Sequence, residues 1–136
     1  MMEDNEPPVF ILASERSGTN LLRVLLTKHQ DTYFGPSPGH CLNVLDPRLE
    51  LYVDLKQEEN FNHLAKDAYD QCRVHFAPWE WEIEIDELVD GYDKAYRQRD
   101  LQMLVHYMHL LYARKKGSRS YICKDNSLAD HVFYLN

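Results

Sequence analysis

Arg16, Ser17, Gly18, Thr19 and Asn20 stand together between two apolar patterns. Together they suit one task, the holding of a phosphate. Gly18 lets the backbone come close to an anion. Arg16 offers a forked cation, and Ser17, Thr19 and Asn20 offer short polar side chains. A helix that starts here would add unpaired N–H groups and a partial positive charge of about half a unit. The Walker spelling, G-x-x-x-x-G-K-S/T, is absent, because Thr19 rather than lysine follows Gly18. The residues that would grip a β/γ-phosphate and magnesium are therefore missing, which points away from a kinase or ATPase.

Two more groups carry chemistry. His40 ends the loop Gly35-Pro36-Ser37-Pro38-Gly39, and no acid lies between Asp31 and Asp46. An imidazole titrates near ~6.5 and can take a proton at neutral pH. Lys124 follows the apolar run Tyr121-Ile122-Cys123 and would bring a cation to the end of a strand. His106 and His109 are three apart on an expected helix, without a cysteine pair or a Glu-x-x-His beside them. They read as core or surface histidines rather than as metal ligands. Asp67, Asp70, Asp86 and Glu87 read as solvated helix faces.

These residues need elements to position them. Val9–Ala13 is continuously apolar and is expected to form a strand buried on both faces. From Thr19, Leu21, Leu22, Leu25 and Leu26 mark a helix with a wide apolar stripe, with Arg23 and Lys28 between them. Tyr33-Phe34 opens a short strand, and Asp46-Pro47 marks a break. Helices are expected over Gln57–Phe76, Asp86–Tyr96 and Asp100–Lys116, the last stopped by Gly117. Trp79–Ile85 alternates apolar and acidic, as a half-exposed strand or as a loop into the next helix. Ser120–Cys123 reads as a buried strand, with Asn126 capping a helix from Ser127. The order implies an α/β layer with a parallel sheet.

Composition narrows the class. The chain has 136 residues, a size for one domain, and 44% are apolar, which excludes a disordered composition. The net charge of −7 argues against a nucleic-acid binder. The three cysteines form no CxxC pair and are expected to be reduced. Residues 1–8 form an acidic tail, expected to be disordered, with no basic signal region, and no apolar run reaches the ~20 residues of a membrane span. A cytoplasmic protein without a membrane span is expected.

The stretch from Phe10 to Leu22, with Arg16-Ser17-Gly18-Thr19-Asn20 at its centre, resembles the 5′-phosphosulfate-binding loop of the sulfotransferase family. That family shows a strand, then Arg or Lys-Ser-Gly-Thr-Thr, then a leucine-rich helix; Glu15 and Asn20 depart from its usual spelling. The segment from His29 to His40 resembles the stretch after the first helix in bacterial and protein-tyrosine members, which leads to the catalytic base. Tyr121–Ser127 resembles the family's Lys-Thr-Pro or Lys-Asp-Pro stretch, with Asn126 in place of the proline.

The resemblance implies a P-loop-type parallel sheet flanked by helices over residues 9–136. It implies 3′-phosphoadenosine 5′-phosphosulfate as co-substrate, with no metal. Residues Arg16 to Asn20 would bind the phosphosulfate, Lys124 would assist the leaving group, and His40 would be the base. The acceptor would be a hydroxyl or amine on a small molecule, glycan or peptide. Family members continue into a strand and helix that hold the 3′-phosphate, and nothing here reads that way. The chain is therefore expected to be truncated, the N-terminal portion of such an enzyme. A non-catalytic anion- or nucleotide-binding module is the alternative, ahead of a P-loop kinase.

Overall fold

A computed structural model describes residues 6–12, 18–28, 31–74 and 77–124. Strand β1 (Val9–Phe10) leads to helix α1 (Thr19–Lys28) and strand β2 (Tyr33–Phe34). Helices α2 (Cys41–Leu45), α3 (Glu58–Arg73), α4 (Ile85–Ala95) and α5 (Leu101–Lys115) follow, with a 3-10 segment at Asp46–Tyr52 after α2. Strand β3 (Ser120–Cys123) closes the series. The three strands form a parallel sheet in the order β1-β3-β2. Val9 pairs with Ile122 and Phe10 with Cys123; Tyr33 pairs with Ser120 and Phe34 with Tyr121.

Local chemistry explains the element ends. The Asp100 side chain accepts from Met103 N at 2.7 Å and caps α5. At the other end Gly117 takes φ +83°, its N–H donates to Arg114 O, and Ser118 N donates to Ala113 O. That paired ending satisfies carbonyls the helix leaves open and turns the chain into β3. Pro47 sits at the start of the 3-10 segment, where its missing N–H costs nothing.

The core gathers among the helices and against β3. Phe61, Leu64, Leu88, Tyr92, Leu101, Leu104 and Met108 are fully buried between α3, α4 and α5. Trp79 stacks on Tyr112 at 4.8 Å between ring centres, and Phe34 meets the same tyrosine edge-on at 5.1 Å. Trp79, Trp81 and Ile83 are buried while Glu80, Glu82 and Glu84 face out, so the alternation reports burial correctly. The segment is nevertheless not a strand, because its buried side chains pack on α3 and α5 rather than beside a ladder partner.

Two other expectations fail. β1 is not buried on both faces: Leu12 is 47% exposed and Val9 is also exposed. Ala13 lies outside the described residues. The leucine stripe of α1 does not enter the core, and Leu21 is 64% exposed, with Leu22, Leu25 and Leu26 also open. The less exposed side of α1 carries Arg23, Val24 and Thr27. Among the described residues β1 is an edge strand, and no described element covers the α1 leucines. Helix α3 also stops at Arg73, short of the expected end.

His106 and His109 belong to the packing. His109 is buried with its ring against Trp79 and Tyr121, and its Nδ1 lies 2.8 Å from Val105 O. His106 Nδ1 lies 2.7 Å from Tyr121 Oη. Burial, helped by the neighbouring His109, holds the His106 pKa below its ordinary value. The unfolded chain therefore takes up that proton more readily than the native one. Stability from this site is complete above the unfolded value of about 6.5 and is lost as pH falls below it. Urea unfolding is expected to show a lower midpoint at acid than at neutral pH, and His106→Gln to flatten the difference. An equal slope in the variant would exclude His106 as its source.

Candidate functional site at the sheet edge

In a parallel sheet every strand leaves by the same edge, and the register fixes what emerges there. β1 leads through Ile11, whose N–H donates to Cys123 O at 3.0 Å, towards the turn before α1. β2 leads into the Gly35–His40 loop. β3 ends at Cys123, and Lys124 follows it. Three separate stretches of chain are thus delivered to one edge.

Arg16 and Ser17 lie outside the described residues, as do His29 and Asp125 to Ser127. Gly18 takes φ +83°, a conformation L side chains rarely adopt, and a Cβ there would meet no atom within 4 Å. Its carbonyl accepts from Leu22 N at 3.1 Å, which makes it the first acceptor of α1. The backbone of Thr19 and the exposed Asn20 form the first turn, where N–H groups have no intrahelical partner.

Lys124 is only 8% exposed. Lysine is seldom buried, because withdrawing its charge from water is costly unless anions or polar atoms replace the water. His40 is half-buried and left-handed, at φ 57° and ψ 22°, and its carbonyl accepts from Val44 N at 3.0 Å to start α2. A histidine tolerates this backbone better than a branched residue.

The loop that presents His40 is held by contacts the sequence did not reveal. Arg23 Nη1 donates to Gly35 O at 2.5 Å. Thr27 Oγ1 accepts from Gly35 N and donates to Arg23 O, each at 2.9 Å. A Cβ on Gly35 would lie 2.7 Å from the Arg23 side chain, so only glycine fits this clamp. Burial lowers the Arg23 pKa, and its Nε has no partner among the described residues. Further on, Trp79 Nε1 donates to Ser37 O, Ser37 Oγ to Ala77 O, and Gln71 Nε2 to Gly39 O. Cys41 and Cys72 are buried with their sulfurs 3.3 Å apart, and both are free thiols. The one available signal was Arg23 and Thr27 at i, i+4, on the face that leucine periodicity assigned to solvent.

Among the described residues no group of three His, Cys, Asp or Glu is arranged to hold a metal, and no helix is long and apolar enough to cross a membrane. No curated protein and no solved structure matches the chain. A family model does, and it runs through β1, the turn, the His40 loop and β3 alike: over residues 7–135 the match is to the sulfotransferase family, and the chain belongs to it.

Proposed function

We propose that this chain moves a sulfuryl group from 3′-phosphoadenosine 5′-phosphosulfate to an acceptor hydroxyl or amine, with the work done at the sheet edge just described. The observation that supports this reading is the parallel register, by which β1, β2 and β3 end on the same edge, with the His40 loop following β2 and Lys124 following β3.

The residues suit an anionic donor. Gly18 has open space where a side chain would stand, at the head of a ten-residue helix, and Lys124 is a buried cation after β3. Arg16, Ser17, Thr19 and Asn20 would hold the phosphosulfate with the first-turn amides of α1. When bound, the donor supplies an activated sulfuryl group. Lys124 would offset negative charge as it develops on the leaving oxygen. His40 would accept the proton that the acceptor sheds, and its clamped loop would keep the imidazole oriented. A glycine followed by threonine rather than lysine suits a reaction that needs no magnesium.

Calorimetric titration of 3′,5′-adenosine bisphosphate into the purified chain, without magnesium, tests the donor site. Binding in the micromolar range is expected, with a loss of at least about tenfold in Arg16→Ala, since a charge-assisted fork is removed. A folded chain that does not bind, or binds equally well in the variant, would sink this assignment.

A further inference from the structure

Away from the strands, the connection between the 3-10 segment and α3 meets the connection between α4 and α5. An open cleft of about 810 Å³ lies between them. That is the size of small-molecule sites, ~300–1,000 Å³. Lys56, Arg97 and Arg99 line it, with the carboxylates of Asp54 and Asp93. On a chain of net charge −7, three cations against two acids make a local reversal of sign.

Each acid has a hydrogen-bond donor, and Asp93 is ion-paired. Asp54 Oδ1 accepts from Lys56 N at 3.0 Å, and Asp93 Oδ1 accepts from Arg99 Nε at 3.4 Å. Arg99 is fixed further, since its Nη1 donates to Lys56 O at 2.9 Å and its guanidinium lies 5.9 Å from the Phe61 ring centre. The Lys56 ammonium and the Arg97 guanidinium have no partner among the described residues. Tyr96 lines the same cleft, half-buried and braced by Tyr92 at 5.1 Å and Tyr107 at 5.8 Å. A braced ring offers a rigid face to an apolar body at little entropic cost.

We propose that this cleft binds a small organic anion with an aromatic body, its charge taken by Lys56 and Arg97 and its ring by Tyr96. The chemistry asks for both parts: two uncommitted cations recognise the anionic group, and the tyrosine face recognises the ring.

Phenyl phosphate titrated into the isotope-labelled full chain, followed by amide NMR, tests this, with inorganic phosphate and phenol as separate arms. Saturable shifts are expected at Leu55, Lys56 and Tyr96 to Arg99. Phenyl phosphate should bind more tightly than inorganic phosphate, and phenol should leave these amides unmoved. The double variant Lys56→Gln/Arg97→Gln should weaken phenyl phosphate by about tenfold or more. Both substituted side chains are exposed, so the remaining spectrum should be unchanged and report an intact fold. Shifts that do not saturate, affinity unchanged in the variant, or a response confined to Gly18 and Asn20 would overturn the proposal. Equal affinity for the two phosphates would overturn the role of Tyr96. The amides of Gly18 and Asn20 report on the donor turn separately, so either site can fail alone.

Discussion

Lys124→Ala is expected to slow donor turnover by about a hundredfold to a thousandfold, the usual cost of removing one preorganised charge-stabilising group. Affinity for 3′,5′-adenosine bisphosphate should fall much less, because negative charge on the leaving oxygen is largest in the transition state. The reasoning rests on place and burial. Register sets Cys123 against Phe10, so Lys124 comes next along an edge that β1 also reaches, and the lysine is almost wholly shielded from water. A cation acts more strongly where water is excluded. The measurement is release of the bisphosphate from 3′-phosphoadenosine 5′-phosphosulfate in the presence of a panel of alcohols, phenols and amines. Lys124→Met serves beside the alanine variant, since it keeps the aliphatic stem and separates lost charge from lost packing. Wild-type turnover in Lys124→Met would remove this residue from the mechanism.

The second large effect is on stability. Phe61 is fully buried on α3, with its ring 4.8 Å from that of Tyr92 and under the guanidinium of Arg99. Phe61→Ala removes ring contacts with α4 and leaves a cavity in a rigid setting, at a cost of about 3–5 kcal/mol. Whole domains are stable by only ~5–15 kcal/mol. For a chain of this length each kcal/mol moves the midpoint by about 3–5 °C, so the thermal midpoint should drop by roughly 10–20 °C. Calorimetry of the wild type and the variant reads this directly. A change below about 1 kcal/mol would mean that the α3–α4 packing is not what holds this region.

How legible these features were in the sequence depended on how local their causes are. The stretch Asp100–Gly117 carries its own cap, periodicity and stop, and α5 forms over Leu101–Lys115 as that pattern requires. Ser120–Cys123 is buried at every position and sits between two strands, the case in which a mostly apolar run is a reliable guide. Val9, Leu12 and the α1 leucines belong to equally strong apolar signals, yet they are exposed. Periodicity tells which side chains share a face, and only the neighbouring elements decide whether that face is covered.

The candidate site divides in the same way. The turn at Gly18 and the start of α1 at Thr19 could be read, because a glycine between an apolar run and a leucine pattern is a local signal. The clamp of Arg23 and Thr27 on Gly35 could not, because it joins the polar face of α1 to a separate loop through a tertiary contact. The meeting of Cys41 with Cys72 depends on α2, a short helix after two prolines and two glycines that no propensity marks. The left-handed backbone of His40 belongs to the same unforeseen turn.

The pairing of Val9 with Ile122 also bears on how the protein comes into being. During synthesis β1 emerges first, and its partner strand is made roughly 110 residues later. At ~5–20 residues per second the wait lasts on the order of ten seconds. In that interval Val9 and Phe10 lack the ladder partners they have in the folded sheet. The sheet is assembled last, by bringing the opposite ends of this sequence together. The ladder of β1 thus waits on the synthesis of the whole helical segment that separates it from β3.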